Sequence, residues 1–325
     1  MNTRKPDSRS RRRKEAEFSK NPIVPSASLP RRLLLERSAN APIAKPALRH
    51  IANLWTLVWH PTKAREWTLE RKLRAVKDTG FDGFTAQLTP QHAKLGDQLG
   101  LLRVGYFSSG NPREFASLLR SQKDAGALHV NVQLGDHDTP TPVAIRLARK
   151  LMAESQKLGL EAAVEVHRDT CTETPEKAYA LADGYEKATG ELLPMTWDYS
   201  HLAVVKHLLA PFWPRLGVRP DLIQRAQQFH FRPFNGHHCQ VPVTDGRGRL
   251  TPEFRDYVPF MEKVMETWLA TAPPGRELIA VPELGPLWLG YNLHAFPSSW
   301  EDAKVLREQI ERSWRRALKT LRSLP

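Results

Sequence analysis

Four residues of this chain could together hold a divalent cation: Glu165, Asp198, His230 and Glu283. Three carboxylates and one imidazole suit a hard or borderline ion, so Mn2+ is expected first, with Mg2+, Co2+ and Zn2+ as alternatives. Three negative charges facing two positive ones make a set that repels itself when empty and is stable when filled. The intervals, 33, 32 and 53 residues by subtraction, match one βα unit, a second βα unit, and a third extended by a long loop over 233–250. Such spacing gathers the four side chains only if each ends a successive strand of a parallel barrel, the rim on which barrel active sites are built. Singly, each has an ordinary explanation, since an acid after a strand often caps the next helix and a lone histidine is usually a satisfied polar group. Four on consecutive strand ends point to a site.

The elements that must carry them can be read from periodicity. From residue 50 onward, short β-branched or aromatic runs alternate with amphipathic stretches, the pattern of a parallel sheet wrapped by helices. Strands are expected over 51–59, 83–86, 102–107, 128–134, 162–166, 195–198, 227–231 and 278–283. Helices are expected over 69–79, 90–99, 112–125, 142–158, 175–189, 202–209, 253–269 and 301–321. Asn111, Thr141 and Thr174 each precede a proline, a capping side chain before a residue suited to the first helical turn. Gly100 and Gly190 follow helical runs, where a left-handed residue is wanted. The count selects an α/β fold, a (β/α)8 TIM barrel over 50–325, and those 276 residues fit the roughly 250 usual for one. A doubly wound sheet is disfavoured because residues 51–59 run into His60, Pro61 and Thr62 instead of a glycine-rich phosphate turn.

Composition narrows the class. The 325 residues are 41% hydrophobic and 26% charged, enough for a sizeable core, and no apolar run approaches the roughly 18–20 residues of a membrane span. Two cysteines, Cys171 and Cys239, build neither a disulfide framework nor a zinc site, so a cytoplasmic setting is expected. Arg11, Arg12 and Arg13 lack the apolar stretch that an export signal needs. The formal charge of +13 lies mainly in residues 1–49, where thirteen Lys or Arg face four Asp or Glu. That extension, rich in Arg, Ser and Pro, is expected to be disordered, with a short helical turn around Leu33, Leu34 and Leu35. With most of the basicity there, a nucleic-acid partner is disfavoured.

The strings Glu165-Val166-His167, Asp198-Tyr199-Ser200-His201, His230-Phe231-Arg232 and Pro282-Glu283-Leu284-Gly285 resemble the motifs of the xylose isomerase-like superfamily, over about residues 50–321. Within it, the sugar isomerase and epimerase branch, including ketose 3-epimerases, is the nearest likeness. The resemblance implies that Glu165, Asp198, His230 and Glu283 bind the metal, and that His167, His201 and Arg232 face a sugar or polyol-derived substrate. It also implies that Glu165 and Glu283 form an acid/base pair, moving a proton next to a carbonyl by way of an enediolate whose charge the cation offsets. The segment 244–248 resembles the glycine-rich turn after the seventh strand. Trp59, Phe107 and Trp288 at the rim could pack on the C–H faces of a sugar, and His137, between Asp136 and Asp138, could reach it from the fourth loop.

Other readings share parts of this pattern. A keto-sugar or inosose dehydratase or lyase would begin with the same proton abstraction. An endonuclease IV-like AP endonuclease would need histidines after the second and third strands, where Phe84-Thr85-Ala86-Gln87 and Tyr106-Phe107-Ser108-Ser109 stand, and an Asp-x-His where Asp245-Gly246-Arg247 stands. A non-catalytic sugar-binding barrel would not require both glutamates. A homo-oligomer is compatible with everything in the sequence.

Overall fold

Eight short strands pair in sequence order and close on themselves in the computed structural model, which describes residues 45–322. They are β1 (Ala47–Asn53), β2 (Gly83–Ala86), β3 (Leu102–Ser109), β4 (His129–Leu134), β5 (Glu161–Glu165), β6 (Met195–Trp197), β7 (Gln228–His230) and β8 (Glu277–Val281). All pairings are parallel, and β1 closes the ring on β8 with Ala47 opposite Glu277 and His50 opposite Ala280. An ion pair straps that seam, Arg49 Nε donating to Glu277 Oε1 at 2.8 Å.

Among the described residues, ten helices lie between or after the strands: α1 (Leu69–Asp78), α2 (Pro90–Leu99), α3 (Phe115–Asp124), α4 (Thr141–Leu158), α5 (Pro175–Thr189), α6 (Tyr199–Val205), α7 (Trp213–Leu216), α8 (Pro220–Arg225), α9 (Pro252–Leu269) and α10 (Ser299–Arg322). Thr174 caps α5 as its sequence suggests, its hydroxyl accepting from Lys177 N at 3.3 Å. Gly100 and Gly190 end α2 and α5 at φ 62° and 77°, a left-handed turn that costs glycine little.

Alternation along each strand divides the core. Outward residues such as Val130, Val132, Val164, Phe229 and Ala280 pack on the helices. Inward, Ile51, Val104, Ile279 and Val281 form a separate apolar plug contributed by β1, β3 and β8. Burying each such side chain contributes roughly 1.5–3 kcal/mol. On the opposite arc the alternate positions of β4 to β7 are polar and buried: His129, Asn131, Thr196, Gln228 and His230. Polar side chains in a barrel interior are costly unless partnered, so this arc is where function is to be sought.

Several boundaries differ from expectation. The first strand starts at Ala47 and stops at Asn53, and residues 54–57 of the apolar run form a 3-10 turn capped by Asn53. Buried Leu54 and Leu57 satisfy the same hydrophobic demand in either geometry. Asn111 does not start α3, which begins at Phe115; its Oδ1 accepts from Arg113 N in a turn. Thr141 is the first residue of α4, with Pro140 as the cap. The sixth helix is Tyr199–Val205, shorter and earlier than 202–209, and two short helices follow it. The turn expected around Leu33, Leu34 and Leu35, and residues 1–44 generally, lie outside the described residues. Within them Cys171 and Cys239 are unpaired, and no helix is long and apolar enough to cross a membrane.

Candidate metal centre and active site

Glu165 is the last residue of β5 and His230 the last of β7, while Asp198 and Glu283 follow β6 and β8 by one and two residues. All four reach the carboxyl-terminal mouth of the barrel and all are buried. Glu165, His230 and Glu283 each offer a ligand atom within 4.8 Å of the others'. His230 Nδ1 stands 2.9 Å from Glu165 Oε1 and against Glu283 Oε2. Neither approach has hydrogen-bond geometry, and both Nδ1 and Glu283 Oε2 are buried without a hydrogen-bond partner.

Supports fix these atoms from behind. Asn131 Nδ2 donates to Glu165 Oε2 at 2.8 Å. Thr172 Oγ1 donates to the Glu165 carbonyl at 2.6 Å, tying the following loop to the strand end. Gln228 Nε2 lies 2.7 Å from His230 Nε2 while Gln228 Oε1 has no partner. A half-turn of that amide lets its oxygen accept from a protonated Nε2, leaving the Nδ1 lone pair for an ion.

Electrostatics agree with a cation site. Burial opposes ionisation of Glu165, but the positive charge of His230 outweighs it and holds the carboxyl down at about 2. Burial likewise opposes protonation of His230, yet Glu283 and Glu165 lift it well above its ordinary value. The pair of glutamates thus demands positive charge at Nδ1, and a divalent ion there would satisfy it better than one proton. Donor types, orphaned atoms and charge therefore fit a metal.

Asp198 is held differently. Its Oδ1 accepts from Ser200 N at 3.0 Å and Ser200 Oγ at 2.6 Å, capping α6, the ordinary role for an acid after a strand. Its Oδ2 faces Arg232 Nη2 at 3.1 Å and His201 Nε2 at 3.4 Å. Arg232 is wholly buried, bridging Asp198 to Glu283 at 2.7 Å and lying 4.8 Å from the Tyr291 ring. The structure thus gathers three of the four predicted ligands and sets Asp198 beside them, across the guanidinium.

Above the cluster opens a cleft of about 540 Å3 whose lining includes Glu165, His230, Glu283, His167 and Arg168. His167 Nδ1 is engaged by the Arg168 carbonyl at 2.6 Å, which leaves Nε2 for a ligand. His201 packs its ring 4.3 Å from that of His167 but is itself buried. Burial depresses the basicity of His201, with Asp198 opposing the shift. Phe107 is core and does not line the cleft. Trp59 and Trp288 lie against each other beside it, centroids 4.5 Å apart. His137 is exposed, its Nδ1 2.5 Å from Asp169 Oδ1. The 244–248 turn is closed by a Thr244–Leu250 bridge and lies outside the cleft lining.

Sequence reasoning missed Tyr106, Asn131, Gln133, Arg168 and Tyr291, all on the cleft wall. Tyr106 donates to Gln133 Oε1 at 2.9 Å, and burial, with Glu165 and Glu283 adding, pushes its hydroxyl far above the ordinary range. A signal existed for two of them: Asn131 and Gln133 alternate on a strand otherwise suited to full burial.

No family model and no curated protein matches the chain. Solved structures do. A xylose isomerase-like TIM barrel protein from Mycobacterium smegmatis in complex with magnesium aligns over 82% of this chain and 97% of its own, at 13% identity and TM-score 0.51. A D-tagatose 3-epimerase-like protein aligns over 82% and 98%, at 14% identity and TM-score 0.50. A sugar phosphate isomerase/epimerase from Parabacteroides distasonis aligns over 85% and 97%, at 9% identity and TM-score 0.51. With strand order and closure, these likenesses show that the chain has the fold of these solved structures, a closed (β/α)8 TIM barrel.

Proposed function

We propose that this protein is a metal-dependent sugar isomerase or epimerase that moves a proton next to a carbonyl, with Glu165 and Glu283 as its acid/base pair. The observation that carries this reading is the convergence of the two buried glutamates on His230 Nδ1 at the floor of the cleft. One divalent cation, Mn2+ first, would be held by Glu165, His230 and Glu283, with Asp198 as a fourth donor beside them. When bound it supplies positive charge next to the substrate carbonyl, where negative charge develops as the proton leaves.

The chain's own groups supply the rest. A carboxylate on each side of a substrate carbon can take a proton from one face and return it to the other. Arg168, on the wall, can donate to a substrate oxygen, and the Tyr106 hydroxyl, which donates to Gln133, can accept from a substrate hydroxyl. Leu54, Val58 and Leu289 line the mouth and limit water around the reacting carbon. The expected partner is a sugar or polyol-derived small molecule in the cytoplasm, and the names of the D-tagatose 3-epimerase-like and sugar phosphate isomerase/epimerase neighbours are in keeping with it.

One observation favours elimination as a second reading: His167, on the cleft wall with Nδ1 held by the Arg168 carbonyl and Nε2 left for a ligand, could pass a proton to a departing β-hydroxyl, as a keto-sugar or inosose dehydratase requires. One experiment separates the two. The Mn2+-loaded full chain is incubated in D2O with a panel of keto-sugars. Deuterium at the carbon next to the carbonyl with altered configuration supports epimerisation. An enone product assigns elimination, and no exchange with any member overturns the proton-transfer reading.

A further inference from the structure

A second cavity of about 740 Å3 lies beside the metal cleft, and Val58 lines both. Each lies within the roughly 300–1,000 Å3 of a small-molecule site, so together they exceed what a single sugar ring requires. The loops after β1 and β8 build the second cavity's walls as they build one side of the first. Its broad surface is aromatic: Trp59 and Trp288 meet at 40° with centroids 4.5 Å apart, and Lys63 Nζ stands 4.5 Å from the Trp59 ring. Trp288 is 43% exposed although it belongs to a pair of large apolar rings. Trp59 adopts φ 57°, a conformation strained for a bulky side chain that persists only where its surroundings impose it. Thr56, also in the lining, is 4% exposed, and its hydroxyl is buried without a hydrogen-bond partner.

The exposed Trp288 indole, a neighbouring ammonium and an unused hydroxyl are what a pyranose ring needs: indole for its C–H face, polar groups for its edge. We propose that this cavity is a second-ring subsite, so that the substrate is a glycoside with its reacting ring in the metal cleft and a second pyranose on Trp288, which Trp59 backs. The inference rests on the sugar reading above. The two cavities share Val58 as a wall, which brings both within reach of one ligand and favours it over a protein partner covering the tryptophans from outside.

The test is equilibrium binding of glucose, cellobiose and maltose to the Mn2+-loaded full chain by calorimetry, with sedimentation of the same samples. At least one disaccharide is expected to bind about tenfold or more tightly than glucose, the gain of burying one further ring face. Trp288→Ala is expected to erase that preference and Thr56→Val to reduce it. Equal binding of all three sugars, or a preference that survives Trp288→Ala, overturns the subsite. A smaller oligomer in Trp288→Ala with the sugar preference intact also overturns it, assigning the surface to a second copy. Disaccharide preference without deuterium exchange on any keto-sugar supports the subsite and overturns the epimerase reading alone. Exchange on monosaccharides without disaccharide preference does the reverse.

Discussion

Arg232 Nη2 stands 2.7 Å from Glu283 Oε1, and neither side chain is more than 7% exposed. The same guanidinium meets Asp198, so one buried cation neutralises two carboxylates at the edge of the cluster. Arg232 lies two residues after His230, and the resemblance to the xylose isomerase-like motifs implied that it faces substrate. Its Nη2 is turned to the site's own acids instead, while Nε and Nη1 are buried without a hydrogen-bond partner.

Removing that charge should therefore be costly. Arg232→Met leaves Asp198 and Glu283 buried without their counter-ion, and a loss of about 3–5 kcal/mol is expected. Urea unfolding measures it. Adding Asp198→Asn to the variant should recover part of the loss; a change under about 1 kcal/mol in Arg232→Met would show that the pair is idle.

Metal binding should stabilise the fold in a residue-specific way. At an Mn2+ concentration near 100 times Kd, about 2.7 kcal/mol of added stability is expected. His230→Ala and Glu165→Gln should remove most of it, because both atoms lie in the mutual 4.8 Å group. Asp198→Asn should weaken affinity less than either, since its Oδ1 accepts from Ser200 and its Oδ2 faces His201 and the cationic Arg232. Calorimetric titration of the four proteins decides the order, and an Asp198→Asn loss equal to that of Glu165→Gln would make Asp198 a full ligand.

Acid stability should be set in part by His129, a wholly buried imidazole at the start of β4 with both nitrogens unpartnered. Burial, with Arg225 and His230 adding, lowers its pKa from 6.5 to about 3. Between those values the unfolded chain binds a proton that the folded chain does not, so stability is intact above 6.5 and falls as pH drops below it. At pH 4.5 the deficit is about 2–3 kcal/mol. His129→Leu leaves no hydrogen bond broken and should unfold less readily than the native protein at pH 4.5 while differing little at pH 7.5. Parallel stability curves for the two proteins would contradict this.

The barrel was legible because strand-helix alternation and the placement of acids at strand ends survive small errors of boundary. The first strand shifted because Leu54 and Leu57 are as apolar in a 3-10 turn as in a strand, and periodicity over so short a run does not separate the two. The site was legible as a set of positions and not as an arrangement. Asp198 caps a helix and meets Arg232, a choice fixed by distances across β6, β7 and β8 that no spacing encodes. Tyr106 and Arg168 were invisible for a similar reason: each is one polar residue among many until the closed barrel turns it toward Glu165.

The central claim is that Glu165 and Glu283 carry the proton, and solvent deuterium exchange in Glu165→Gln and Glu283→Gln, each measured at an Mn2+ concentration shown by titration to saturate that variant, tests it most directly. Each amide keeps the size of the side chain but cannot take a proton. Exchange is expected to fall by roughly 100-fold or more in each variant, the contribution of one positioned acid or base, while both remain folded and the native protein exchanges. Native-level exchange in either variant would contradict the assignment.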